Sequence, residues 1–359
     1  MAATSSAAIA QADFDVSVNG SPLSSTNLDY VMEIVVDQSV ALPSMFTLLL
    51  ASSDAQSQPP AWTNDSSVFA VGDAIEVKLG YYNNLTSMIQ GEVTSVEAEF
   101  SAASLPLLRV RGYDRRHRLQ RGRKTRSFLK QSDSDIASSI GSDAGLTTNA
   151  TATGTFHDYV LQANQTDWEF LCERASRIRY ELFVTGKTLY FRPAANDEGA
   201  VLTIDMQNDD DLLEFHPRLS SVAQPTEVTL QSWSIKDKDT ITSNSASADI
   251  VSTMGGSQAG ADAVQSAFSD APQVLTAYPV AAQAEADAIA KARINQAALQ
   301  YITGEGTCFG KPDIVAGKVI TITGIGSRFS GQYYVTSAIH RVTPARGYRT
   351  EFSVRRTAS

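Results

Sequence analysis

Side chains able to do chemistry are few in this sequence, and their spacing fits no catalytic template. His117, His157, His216 and His340 stand singly, with no second histidine four residues on and no helical His-Glu pair, so metal catalysis has no ligand set. Cys172 and Cys308 lie far apart, which excludes a disulfide scaffold and a cysteine-built zinc site. Gly255-Gly256-Ser257-Gln258-Ala259 approaches a nucleophile elbow but lacks its second glycine. Gly304 to Lys311 imitates a phosphate loop with one residue too many between the glycines, and Pro312 stands where a metal-binding hydroxyl belongs. Asp209-Asp210-Asp211 has neither the alternating ligand spacing nor the turn glycine of a calcium loop and reads as a solvated acidic loop. No pair of carboxylates is singled out for sugar hydrolysis. Catalytic, cofactor-binding and metal-binding residues are therefore all assigned as none.

One constellation stands out by charge. Arg109 to Lys130 holds ten Lys/Arg and one Asp, a local +9 in a chain of net charge -10, which leaves -19 for the rest. Arg115, Arg116, Arg118, Arg121, Arg123, Lys124 and Arg126 are the candidate partner-contact residues, an electrostatic seam for an acidic protein face. The alternatives are a neighbouring subunit or nucleic acid. Nucleic-acid binding would be salt-dependent, but only Tyr113 and Phe128 flank the run as stacking aromatics.

The elements that must position this run change character along the chain. From Phe14 to Tyr113, short apolar runs with period two alternate with turn residues, as strands do. Between Met88 and Phe100 the apolar parity changes near Thr94 and Ser95, the mark of a bulge that lets a sheet bend and close into a small barrel. The period then becomes helical. Ile136 and Ile140 pair behind an Asp-rich start, with Gly145 as the stop. Thr166 caps Glu169 ahead of an apolar stripe of Trp168, Leu171, Cys172, Ala175 and Ile178, which makes Cys172 a core residue. Tyr180 to Phe191 is a hairpin turning at Thr185-Gly186. Strand pattern resumes at Glu227; Ser243 to about Ala282 reads as loop, and Glu285 to Ile302 as a helix with an Asp287/Lys291 pair, stopped by Gly304. The last strands, Val319 to Ile325, Tyr333 to Val342 and Tyr348 to Arg356, alternate cleanly. Tyr333, Val335, Phe352 and Val354 are assigned to the second core, Trp168 and Leu171 to the insertion.

With 359 residues, 43% apolar and 19% charged, the chain can bury more than one core. Its acidity argues against general nucleic-acid or membrane-surface binding. Met1 to Gln11 lacks the basic start and apolar stretch of a signal peptide, and no run approaches the roughly 20 apolar residues of a membrane span. A soluble protein made in the cytoplasm is expected.

Three stretches carry a family resemblance. Asp158 to Pro193 contains a capped helix of the form T-D-x-x-F-L-x-x-R-A followed by a Tyr-initiated hairpin; Arg111 to Gly145 precedes it; Val319 to Arg356 contains G-x-G-x-x-F-S-G-x-Y-x-V at Gly324 to Val335, then His340 and Gly347-Tyr348. In order and spacing these resemble phage late control protein D and the VgrG-type baseplate hubs of contractile tails and contractile injection systems. The resemblance implies a mainly β fold with α+β insertions, two small β-barrels per chain, and a homotrimer with pseudo-six-fold symmetry. Its expected boundaries are a flexible 1–12, a first barrel over 13–113, an α+β insertion over 114–193, a connection over 194–226 completing the first barrel, and a second barrel over 227–359 with an insertion at about 243–302. The implied role is structural and non-enzymatic: a spike adaptor joining a six-fold tail tube to a three-fold spike, within a phage tail or phage-tail-like particle. The implied partners are the inner tail-tube protein above, a spike protein below, separate because this chain stops at Ser359, and baseplate wedge proteins. No cofactor, small-molecule substrate or direct membrane insertion is implied. The rival readings are a tail-associated peptidoglycan hydrolase and a basic-patch nucleic-acid-binding module.

Overall fold

The computed structural model of the chain describes residues 11–51, 68–102, 104–208, 212–234 and 237–359. The expectations for Asp209 to Asp211 and for the residues before Gln11 fall outside them. The protein is mainly β, with a short helix, Ser25–Asp29, among the first-half strands and the other described helices in two insertions.

In the first half, strands Ala12–Val18, Val31–Ser39, Met45–Ala51, Ala74–Tyr81, Asn84–Ser101 and Ser104–Asp114 pair antiparallel. Their alternate residues, among them Val16, Ile34, Val36, Phe46, Leu48, Val77 and Val110, meet in one core, so the sheet curls about it. Each large apolar side chain so enclosed contributes roughly 1.5–3 kcal/mol. The expected bulge is present: register breaks between Val93 and Ser95, and the face that carries buried Val93 passes to the parity of Val96, which pairs with Val110 but is itself exposed. The cross-strand partner of Val93 is Gly112, where a Cβ would lie 2.4 Å from the Phe46 ring and 2.1 Å from the Glu92 carbonyl oxygen.

The second core lies among strands Leu202–Asp205, Leu212–Leu219, Ile302–Phe309, Val319–Thr323, Gly331–Thr343 and Gly347–Arg356. It holds Tyr333, Val335, Phe352 and Val354, as their alternation predicts. One strand serves both cores. The first residues of Gly331–Thr343 pair with Val319–Thr323, and Ser337 to Val342 pair with the first-half strand Val31–Ser39. A bulge between Val335 and Ser337 separates the two stretches and swaps the inward parity from Tyr333 and Val335 to Ala338, His340 and Val342. In place of two separate hydrogen-bonded barrels, the described strands form one 13-stranded sheet running through both cores.

Three boundaries differ from those expected. Leu202–Asp205 and Leu212–Leu219 pair with Val319–Thr323 and Ile302–Phe309, so they extend the second sheet and do not complete the first. Glu227–Ser234 joins Asp239–Ala246 and Pro272–Leu275 in a separate three-stranded sheet, covered by the helix Gln283–Ala298 over a core of Leu230, Ile241, Ala286, Ile289 and Ala290. The stretch read as loop thus carries a strand and the helix Gly260–Phe268. Its serines alternate too: Ile241, Ser243 and Ser245 all point inward, a period-two signal that apolar counting misses. Gly304 lies inside a strand and does not stop the helix, which ends at Leu299. Asp287 accepts from the Gln283 amide at 2.8 Å.

The insertion between the halves folds as its caps dictate. Thr166 and Glu169 form a reciprocal capping box at Asp167–Arg177, with hydrogen bonds of 3.1 and 2.9 Å. Ser132 and Asp135 form another at Asp133–Asp143, whose end is turned by Gly145 at φ 72°. Trp168, Leu171, Ile136 and Ile140 share its core. The hairpin Tyr180–Thr185/Thr188–Pro193 turns through Gly186 and Lys187.

Candidate functional site

The arginine run begins where the first sheet ends. Asp114 closes the strand and caps a single 3-10 helix, Arg115–Gln120, by accepting the Arg116 amide at 2.8 Å. Three residues per turn places Arg115 and Arg118 on one side, and both reach Glu92 on the neighbouring strand: Arg115 Nε lies 3.2 Å from Oε1, and Arg118 Nε and His117 Nε2 each lie 2.9 Å from Oε2. Burial alone would raise the Glu92 carboxyl, but hydrogen bonds from Arg118 and His117 and the charges of Arg118 and Arg115 prevail and hold it down at about 2. The same hydrogen bond raises the Arg118 pKa.

Arg116 points elsewhere and is 3% exposed. Its guanidinium binds Asp114 at 2.7 Å, the Ser39 carbonyl at 3.0 Å and Ser44 Oγ at 2.7 Å, and sits 5.7 Å from the Trp168 ring centroid. One residue therefore ties the sheet to the capped helix. On strand Lys124–Ser132 the two-residue repeat puts Lys124 and Arg126 on one face, where Asp167 accepts from both at 2.6 and 2.8 Å. Arg126 also reaches Asp143 and Gln162, each at 2.9 Å. Arg123 binds the Asn164 carbonyl at 2.7 Å and Glu169 at 3.0 Å. Arg121 is exposed and has no such partner among the described residues.

The run is thus an internal clamp before it is a surface. Six of its seven named cations are spent on carboxylates and carbonyls of this chain. Of those carboxylates only Asp114 lies within the run; Glu92, Asp143, Asp167 and Glu169 come from other segments, so the local charge count overstated what remains for a partner.

The other chemistry-bearing residues are structural in place. His340 is fully buried, bonded to the Ile314 carbonyl at 3.0 Å and to Tyr348 Oη at 2.8 Å, and burial pushes its pKa down to about 4. Burial raises the Cys172 thiol to about 12, which keeps it protonated and unreactive; Cys308 is buried. Ser257 holds the Ser359 carbonyl, its amide at 2.7 Å and its hydroxyl at 3.1 Å. Gly304 and Gly306 make room for the Phe215 and Phe352 rings, which a Cβ would approach to 2.6 Å. Among the described residues no group of three or more His, Cys, Asp or Glu could hold a metal ion, and no helix is long and apolar enough to cross a membrane.

Two further polar junctions escaped sequence reading. Asp133, Arg174 and His157 form a buried cluster, Arg174 Nε lying 2.6 Å from Asp133 and its terminal nitrogen 2.8 Å from His157. Glu285, from the second insertion, receives Arg177 at 3.0 Å and so joins the two insertions. Glu181 lines a cleft of about 520 Å³ between the insertion hairpin and both sheets. It accepts from Tyr334 Oη, and burial, only partly offset by Arg192 and Arg179, raises it to about 7. The Arg177–Glu285 and Tyr334–Glu181 contacts join segments more than a hundred residues apart and the Arg174–Asp133 contact spans 41, and no sequence spacing announces them.

Comparison with known proteins places this geometry. Residues 8–344 match the family model described as the Alg8 N-terminal domain. The chain belongs to that family. No curated protein matches this Alg8 N-terminal domain family member at a significant level. Its fold is similar to that of the 43 kDa tail protein of prophage MuSo2 from Shewanella oneidensis, with TM-score 0.70, 15% identity, and 96% of this chain and 98% of that one covered. A tail protein from Neisseria meningitidis MC58 matches with TM-score 0.67, 13% identity and 96% of each chain. A component of the Escherichia coli type VI secretion system, described as structurally similar to T4 bacteriophage tail proteins, matches with TM-score 0.60, 12% identity, and 96% of this chain and 77% of that one. The fold of this family member is therefore a phage tail-protein fold.

Proposed function

We propose that this chain is a structural hub of a contractile tail or injection-system baseplate. Three copies form a ring that presents six similar surfaces to the tube and three identical ones to the spike. The observation that carries this reading is the end-to-end fold similarity to tail proteins, which spans 96% of this chain. Its internal construction supports it. An adaptor under load must keep its halves in fixed relation, and here one strand belongs to both cores while the Glu92, Arg116 and Asp167 contacts fasten the insertion. In a closed ring the exposed apolar residues of the sheets, such as Val96 and Phe100 beyond the bulge, are covered by neighbouring copies. Inner tube protein, spike and baseplate wedge proteins are the proposed partners, in a particle assembled from cytoplasmic components without a catalytic step.

The partner-contact role of the arginine run narrows to Arg121 and the exposed parts of Arg123 and Lys124. Because the remaining guanidiniums already face carboxylates, a nucleic-acid groove finds little free cation here. Negative-stain images of the purified protein along its symmetry axis test the reading. A three-fold particle with six peripheral lobes is expected; isolated two-lobed particles at high concentration would refute it.

A further inference from the structure

A groove of about 880 Å³ opens on the side of the second insertion, away from the arginine clamp. It runs between Val222 to Pro225, the strand Pro272–Leu275 and the end of the helix Gln283–Ala298, with Arg355 on its wall. Three features set it apart. No acidic residue lines it, in a chain with 39 Asp and Glu and net charge -10. Arg355 and Arg293 line it without a carboxylate partner among the described residues, Arg293 having only the Gln273 side chain at 3.4 Å. Burial lowers the Arg355 pKa, the condition of a cation without an anion beside it. Finally, Pro272–Leu275 is paired on one side only, by Glu227–Ser234, so it is an edge to which an extended chain can add. Beside it Val222 and Val274 are 93% and 54% exposed.

We propose that this groove binds an extended acidic segment of a partner protein, with carboxylates on Arg355 and Arg293 and apolar side chains on Val222 and Val274. The inference stands on the groove alone and does not depend on the tail reading.

Fluorescence anisotropy with the full chain and a fluorescein-labelled decapeptide of alternating glutamate and valine tests it. Saturable binding that weakens with salt is expected, about ten-fold weaker in Arg355→Gln, several-fold weaker in the exposed-helix variant Arg293→Gln, and unchanged in Arg346→Gln, which removes an exposed charge elsewhere. A peptide with lysine in place of glutamate should not bind. Arg355→Gln breaks no ion pair, so its melting temperature should not fall. Equal binding by the parent and the Arg355→Gln/Arg293→Gln double variant overturns the proposal. So does binding of a single-stranded oligothymidylate where the acidic peptide fails.

Discussion

Glu92 shows how a single carboxylate can decide whether a basic run is a surface or a joint. It is nearly enclosed and gathers Arg115, His117 and Arg118 from one 3-10 turn. Removing its charge leaves those cations facing each other, so Glu92→Gln should lower unfolding free energy by about 2 kcal/mol, read from urea denaturation. Arg121→Glu, at a partnerless position, should leave the denaturation midpoint within error. If Glu92→Gln is neutral, the clamp is an ordinary surface network. Acid dependence follows from three groups. His340 has a native pKa of about 4 against an ordinary 6.5, so the unfolded chain binds a proton that the native chain refuses, and its contribution to stability falls as pH drops from 6.5 to 4. Glu181, raised to about 7 from 4.5, works the other way: the native chain takes up its proton first, and stability gains as pH drops from 7 to 4.5. Glu92, depressed to about 2 from 4.5, adds stability that is present above pH 4.5 and lost as pH falls toward 2. His340→Gln should leave the Glu181 contribution unopposed, so that stability rises as pH drops from 6.5 to 4.5, and leave the lower window unchanged. An unchanged pH dependence between 6.5 and 4.5 in that variant would show that His340 does not titrate there.

Among the elements, the bulged strand Gly331–Thr343 is the one on which both cores depend. Thr336 sits at its register shift, its carbonyl accepting from the Val40 amide at 3.1 Å and its hydroxyl donating to the Ser353 carbonyl at 3.1 Å. Inserting one residue between Ala338 and Ile339, past the shift, would put one half of the strand on the wrong face, turning either Tyr333 and Val335 or His340 and Val342 outward. Loss of cooperative unfolding by calorimetry is expected; an insertion variant with a single sharp transition would contradict it. Gly112→Ala should cost several kcal/mol by the same method, because its Cβ would meet the Phe46 ring and the Glu92 backbone. At this scale the sequence was legible where the signal is local. The Thr94 bulge, the Thr166-Glu169 cap, the Gly145 stop and the terminal alternation are all written within a few residues. Strand partners far apart in the chain are not: nothing around Leu212 says that it pairs with Cys308, and the serine-rich inward face of Asp239–Ala246 carries no hydrophobic pattern. The candidate site was half legible for that reason. The cations formed a visible cluster, whereas their carboxylates were scattered over Glu92 to Glu169.

At the scale of the whole molecule, one 13-stranded sheet curls about two cores, one insertion lies between the halves and another interrupts the second, and the insertions meet at Arg177 and Glu285. The adaptor reading asks for more: that three such bodies close into a ring. Light scattering coupled to size-exclusion chromatography measures this directly. The account predicts a species of three times the 38.6 kDa chain mass that persists on dilution. A monomer at every concentration up to the millimolar range would contradict it.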